Sequence, residues 1–521
     1  MSVFRKIIVF SLIIFTTVLI TSCTADTVDS RISNYTIDDE AADTNEFYTG
    51  ESTSDAWDNA HIPFTDDPEQ IYEFLWTDRR DRYWEEDIIF FARTALSDHP
   101  LFSKSLEHML NRGDVPQQML FTLALIRNDI QVTHNNSQDA EALRNYFFDR
   151  VNSLIIAIPT LSDNEIIFGL AEIAAILADM HTAVVLPDSD RFLFRFVSLS
   201  DGFYCILAPK EFEHVLYSKL VNINGLDVDE VLSRFSRVVA HENEYWLRSV
   251  IASVHIMNGE LLRYLGIVDD SNTAEFTFAN AESEKFNIGI ESVLVNANDL
   301  SNLLGSRSAF FNLDGIELIQ HSFSDSLLMY SRPGDMFWFE YFPEESIMYL
   351  RISNFEIEAP QGSFAEAHAY YQRYPFNQEI LSLTANARKI DKIIIDLRGN
   401  SGGTRWDNLN PILFNNERIN SVYLLLDSSS ASASIMAASW FINNMENVYV
   451  VGEPAGQPES FFGGWRPQLL PNSGIEFSVS DGLFSLSNNK DTSLIPDIFI
   501  PLTIQDIINN HDPVLEFVWV Q

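Results

Sequence analysis

Two short segments carry no polar side chain between their ends: Ile393-Ile394-Ile395, running into Asp396, and Leu424-Leu425-Leu426, running into Asp427. Apolar runs of this length, bounded by turn residues, read as buried strands. The first opens onto a glycine-rich turn, Asp396 to Gly403 (DLRGNSGG). The second opens onto a serine cluster, Ser428 to Ser434 (SSSASAS), and a helical pattern, Ala433 to Asn443. A strand at Ile347 to Ile352 and a helical stretch at Phe364 to Ala387 precede them, and a strand at Val448 to Val451 follows. Strand, loop and helix repeated in this way predict an α/β layer.

The chain has 521 residues, too many for one ordinary domain. From Pro68 to Met180 the pattern is helical, with apolar residues at three- and four-residue spacing in Ile88, Ile89, Ala92 and Ala95 and across Leu120 to Ile126. Asn164 to Asp179 is a strong helix candidate, with Asp163 or Asn164 as its cap. From Thr182 the pattern changes to short strands, at Phe192 to Val197, Phe203 to Ala208 and Ser218 to Ile223. Lys219 to Glu230 combines a strand, a tight Asn224-Gly225 turn and an acidic helix start. It looks like the core of a PDZ-like module, in which a peptide end adds to a sheet edge. The expected organisation is a signal peptide over 1–22, an acidic tether over 23–67, a helical domain over 68–181, a β-rich PDZ-like region over 182–345 and a catalytic α/β domain over 346–521.

Arg5 and Lys6, the apolar run Ile7 to Ile20, and Thr21-Ser22 before Cys23 make a secretory signal. The run is shorter than the roughly 18 to 20 residues that span a bilayer comfortably. Ile20 to Cys23 resembles a bacterial lipobox, which implies cleavage before Cys23 and lipid attachment to it. Residues 24–60 hold ten acidic residues and one basic residue, Arg31, and read as a disordered tether. The body is therefore expected outside the cytoplasm, anchored to the cell membrane by lipid. The second cysteine, Cys205, lies in an apolar stretch and reads as a buried thiol. A formal net charge of -41 repels nucleic-acid phosphates, so nucleic acid is excluded as a partner. No spacing resembles a calcium loop.

Three segments carry chemistry, each ambiguous alone. In Asp396 to Gly403 the glycines permit positive φ and close approach of a substrate backbone, and N–H groups there can face an anion. The phosphate-loop pattern GxxxxGK[ST] is absent. A serine of Ser428 to Ser434, between strand end and helix start, is placed for nucleophilic attack with its oxyanion near the helix N-terminus, yet serines there also serve as caps. Asp179 to Thr182 (DMHT) holds a histidine near the end of the predicted helix. Such a residue is often structural, but a serine nucleophile needs a base.

With Val451-Gly452-Glu453-Pro454, Leu470-Pro471-Asn472-Ser473-Gly474 and the closing Ile495-Pro496-Asp497-Ile498, these segments in order resemble the C-terminal processing (tail-specific) and tricorn family of serine peptidases. The resemblance implies a crotonase-like α/β catalytic domain acting on peptide or protein substrates, with neither metal nor cofactor. It makes Ser432 the nucleophile and assigns the oxyanion hole to the N–H of Ala433 and one from Gly402 or Gly403. The processing branch's lysine is replaced by Gln457, whose amide cannot accept a proton, and no lysine occurs between Ser432 and Ile475. The tricorn branch's histidine matches His181, which becomes the expected base. That branch's serine before the histidine is Met180 here, and its glutamate before the closing Pro-Asp is Lys490, beside Asp491. Candidate orienting groups are Asp179, Asp491, Lys490 and Glu453. These departures leave two alternatives: a peptidase-like binding module without catalysis, and Lys490 as the base.

Overall fold

The computed structural model describes residues 68–102, 136–356, 378, 380, 382, 390–403 and 419–521, less 188, 297–298, 301–302, 305–308, 314, 323–326, 333, 465 and 488–490. The expected signal peptide and tether, Cys23, the Leu120 to Ile126 helix, nearly all of Phe364 to Ala387, and Lys490 lie outside the described residues.

Among the described residues three α-helices come first: α1 (Pro68–Asp98), α2 (Asn136–Ala157) and α3 (Asp163–Ala175). Ser162, rather than Asp163 or Asn164, caps α3, and it shares a reciprocal capping box with Glu165. The apolar pattern expected to carry this helix to Asp179 outruns it. The helix ends at Ala175, and the chain turns through Ala178 at φ 50°. Leu177 and Met180 are nevertheless buried, so the pattern reports burial and not helix beyond that point.

The middle of the chain forms β1 (Ala183–Val184), β2 (Asp190–Arg191), β3 (Arg195–Leu199), β4 (Gly202–Pro209), β5 (Lys219–Ile223), β6 (Leu226–Asp227), α4 (Val228–Phe235), α5 (Glu244–Ser253), α6 (Gly259–Tyr264), β7 (Thr273–Ala279), β8 (Lys285–Glu291), β9 (Val293–Leu294), β10 (Phe310–Leu313) and β11 (Ile316–Gln320). An antiparallel sheet runs β10-β11-β4-β5-β7-β8, with β3 on β4 and β6 on β5. Asn224 and Gly225 have φ 47° and 79°, the left-handed pair that a two-residue hairpin turn requires. The strand expected from Phe192 starts at Arg195, because Phe192 and Phe194 leave the ladder to pack edge-on against Phe276. Cys205 is a buried free thiol on β4.

The last third forms β12 (Phe337–Phe342), β13 (Ile347–Ile352), β14 (Lys392–Asp396), β15 (Ser421–Leu426), α7 (Ala433–Asn444), β16 (Val448–Gly452), β17 (Ser460–Gly463), β18 (Pro467–Leu469), β19 (Glu476–Ser478), β20 (Gly482–Ser485), β21 (Ile498–Phe499), α8 (Ile504–Asn509) and α9 (Pro513–Val520). Its sheet runs β12-β13-β14-β15-β16-β21, parallel from β13 to β21 with β12 antiparallel at one edge. One face, with Ile393, Ile395, Leu424 and Leu426, packs on Ala433, Ala437 and Phe441 of α7. The other, with Ile394 and Leu425, packs on Val514 and Val518 of α9. Cover on both faces explains why β14 and β15 show no polar alternation.

Segments far apart in sequence share one core. β1 pairs with β19, Ala183 opposite Ser478 and Val184 opposite Phe477. Phe477 meets Phe90 and Phe91 of α1 edge-on. The turn after β18 is held to α1 by the Asn472 and Ser473 N–H groups, which donate to the buried Asp87 carboxylate at 2.8 and 2.9 Å. The long β1-to-β19 connection is thereby closed by backbone pairing and by charge-assisted hydrogen bonds.

Candidate active site

β14 and β15 are adjacent parallel strands, so the loops leaving their carboxyl ends emerge side by side. Asn400 joins the two loops. Its carbonyl accepts from the Ala431 N–H at 3.1 Å and from Ser434 Oγ at 2.6 Å, while its amide donates to the Ile352 carbonyl at 2.9 Å. The Asp427 carboxylate adds to the joint, accepting from the Gly399 N–H at 2.9 Å and the Ser429 N–H at 3.0 Å.

Ser432 stands at the start of α7 with φ 53° and ψ -118°. A non-glycine residue in this region carries strain of order 1–3 kcal/mol and persists only where its surroundings dictate it. Its N–H donates to Gln457 Oε1 at 2.5 Å, and its side chain makes no capping bond. The helix-capping reading of this serine is therefore not what the structure shows. Its hydroxyl instead meets His181 Nε2 at 3.0 Å, across 251 positions of sequence.

His181 lies on the loop after α3. Phe461 stacks against its ring at 6.1 Å, and Met180 beside it packs with Trp246 and Ala431. Met180 is thus a packing residue that seats the histidine loop on the serine loop. His181 Nδ1 faces Asp179 Oδ1 at 3.4 Å. Asp179 is fully buried and accepts from the His181 N–H at 2.9 Å, Thr182 Oγ at 2.7 Å and Ser480 Oγ at 2.5 Å. His99 Nδ1 accepts from the Leu101 N–H at 3.1 Å, which leaves its Nε2 as the proton carrier, 3.4 Å from Asp179. Burial pushes the Asp179 carboxyl up, but the hydrogen bonds and charges of His181 and His99 outweigh it and hold the group below the ordinary carboxylate range.

Of the expected orienting groups, Asp179 is the one beside the imidazole. Asp491 is exposed. Glu453 lines a separate cavity with Asp427, Arg398 and Asp512.

The expected anion-binding donors divide. Gly402, at φ 117°, presses so close that a Cβ there would lie 2.6 Å from Ser432 Cβ. Its N–H is already spent on Asn400 Oδ1 at 2.9 Å, which counts against Gly402 as an oxyanion donor. The N–H groups of Ala433 and Gly403 have no acceptor among the described residues.

Several residues have roles at the site that their place in the sequence does not announce. Gln457 accepts from Ser432 and donates to Glu242 Oε1, and Glu242 is itself buried. Burial, followed by the charge of Asp179, raises the Glu242 carboxyl well above its ordinary value. His99, Ser480 and Glu242 reach the site from three different elements with no shared spacing. Asp179, His181 and Glu242 also form a group with ligand atoms within 4.8 Å of one another.

The arrangement is a hydroxyl on a strained turn, an imidazole in hydrogen-bond reach, a buried carboxylate behind the imidazole and the open Ala433 N–H next to the hydroxyl. That set is sufficient for nucleophilic acyl transfer. No family model matches the chain, and no curated protein matches it. Among solved structures, mature CPAF is similar with a TM-score of 0.44 at 13% identity, over 77% of this chain and 95% of that one. The tricorn protease gives 0.32 at 12% identity, over 78% of this chain and 36% of that one. A candidate S41 protease from Bacteroides fragilis NCTC 9343 gives 0.28 at 11% identity, over 64% of this chain and 84% of that one.

Proposed function

We propose that this chain is a serine peptidase of the C-terminal processing and tricorn type, with Ser432 as nucleophile and His181 as general base. The observation that carries this reading is the 3.0 Å contact between His181 Nε2 and the hydroxyl of Ser432 on its strained turn. His181 Nε2 takes the hydroxyl proton as Ser432 Oγ bonds to a peptide carbonyl carbon. The carbonyl oxygen becomes an oxyanion facing the Ala433 and Gly403 N–H groups. Collapse breaks the C–N bond, and the imidazolium returns its proton to the leaving amine. Water, deprotonated by the same ring, then hydrolyses the Ser432 ester and regenerates the hydroxyl. Asp179 keeps the Nδ1 proton in place and stabilises the imidazolium. Catalysis through this site needs no metal or cofactor.

In this reading the last third is a crotonase-like catalytic domain, and the β-rich middle is a PDZ-like region that holds or gates a peptide end. Among the described residues no helix is long and apolar enough to cross a membrane. Attachment in this reading rests on lipid at Cys23, which places the enzyme outside the cytoplasm with its substrates.

A fluorophosphonate probe tests the proposal. It labels the wild type and fails to label Ser432→Ala, and peptide hydrolysis disappears with the label. Absence of labelling in both proteins would overturn catalysis and leave a peptide-binding module.

A further inference from the structure

The 3.4 Å between His181 Nδ1 and Asp179 Oδ1 is long for a charge-assisted hydrogen bond, which lies near about 2.7–2.9 Å. It matches the spacing of two ligands on one tetrahedral ion. Zinc bonds of about 2.0–2.1 Å put neighbouring ligand atoms roughly 3.3 Å apart. A ligand atom of Glu242 completes a group lying within 4.8 Å.

The polar atoms of this group are incompletely satisfied. Glu242 Oε1 is held by the Gln457 amide, but Glu242 Oε2 has no hydrogen-bond partner, and neither has His181 Nδ1. Their residues are only 2% and 6% exposed. Buried polar atoms without a partner are rare in folded proteins and call for an explanation. Two carboxyl groups and an imidazole nitrogen are a donor set that suits a borderline cation such as Zn²⁺. Coordination costs Glu242 Oε2 no hydrogen bond, and for His181 Nδ1 it replaces only the long 3.4 Å approach to Asp179.

We propose that Asp179, His181 and Glu242 form an inhibitory Zn²⁺ site behind the catalytic histidine. The inference rests on the peptidase reading for its consequence, though not for the binding itself. A neutral imidazole has one donor and one acceptor nitrogen. When Nδ1 gives its lone pair to the ion, the ring proton resides on Nε2. That nitrogen then points an N–H at Ser432 Oγ and has no lone pair to accept the serine proton. The ion therefore leaves the serine site assembled and removes only its base. Both carboxylates stay in a dry pocket with their charge met by the cation, as buried charge requires.

The binding test uses the untagged full chain carrying Ser432→Ala, titrated with Zn²⁺ by calorimetry in excess Mg²⁺, which occupies the acidic surface. One site is expected, weakened at least about 10- to 100-fold in Ser432→Ala/Glu242→Gln, as loss of a metal partner typically costs. Circular dichroism checks that the double variant is folded. Wild-type hydrolysis should fall in Zn²⁺ and recover fully in a chelator. Absence of this site, or equal affinity in the double variant, overturns the proposal. Activity that is lost in a chelator overturns it as well, because the ion would then be a participant. Calorimetry on Ser432→Ala decides the site even if neither protein reacts with the fluorophosphonate, so failure of the peptidase reading is seen separately.

Discussion

Gln457 accepts a hydrogen bond from the Ser432 N–H at 2.5 Å and passes its own amide hydrogen to Glu242. The residue that cannot be a general base instead holds the Ser432 backbone in its strained conformation. Gln457→Leu keeps much of the volume and orphans both partners. It should lower stability by about 1–3 kcal/mol, as loss of a buried partner does. Urea denaturation measures this, and an unchanged midpoint would show that the link carries no weight.

Asp179→Asn keeps the shape of the side chain but removes the charge that faces His181 and His99. In a serine–histidine site such a change lowers kcat about 10³- to 10⁴-fold by favouring the wrong tautomer. Steady-state kinetics on a peptide substrate should show the loss in kcat with KM little changed. A loss confined to KM would remove Asp179 from the mechanism.

Gly402→Ala places a methyl against Ser432 Cβ in a backbone conformation that alanine rarely adopts. The methyl also crowds the Ala433 nitrogen at 3.0 Å, so the serine turn and its open N–H must shift together. A fall in kcat of about 100- to 1000-fold is expected, comparable to losing one oxyanion donor. Full activity in this variant would contradict the tight approach of the two loops.

Glu453 gives a pH signature away from the site. Burial, followed by the charge of Asp427, pushes its carboxyl from 4.5 up to about 7. The native state thus holds a proton that the unfolded chain has released between these values. The contribution of Glu453 is greatest below 4.5 and is lost as pH rises to about 7. Glu453→Gln should remove this slope, so the wild type loses stability relative to the variant between pH 4.5 and about 7, by about 1–3 kcal/mol at most. Parallel denaturation profiles would contradict it.

The parallel strands and their two loops are legible because burial on both faces leaves an uninterrupted apolar run, and because each run ends in residues built for a turn. Ser432 and His181 are legible as candidates through their neighbours, and the fold places them in contact. The end of α3 is obscured because Leu177 and Met180 keep its apolar period after the helix has stopped. Glu242, His99 and Ser480 are invisible beforehand because their roles come from where the start of α5, the end of α1 and the end of β19 bring the chain together. Gly402 is legible as a close approach, but the commitment of its N–H to Asn400 depends on a rotamer that no spacing encodes.

The pairing of β1 with β19 has a consequence for timing. Val184 has no partner strand until Phe477 has been made, and Asp179 waits for Ser480. A growing chain can complete its first helices and most of its middle sheet while this pairing is still missing. On the proposed reading, the serine site is therefore completed late, by chain order. The same dependence would make hydrolysis, on that reading, a readout of whether the chain's last third has closed onto its first.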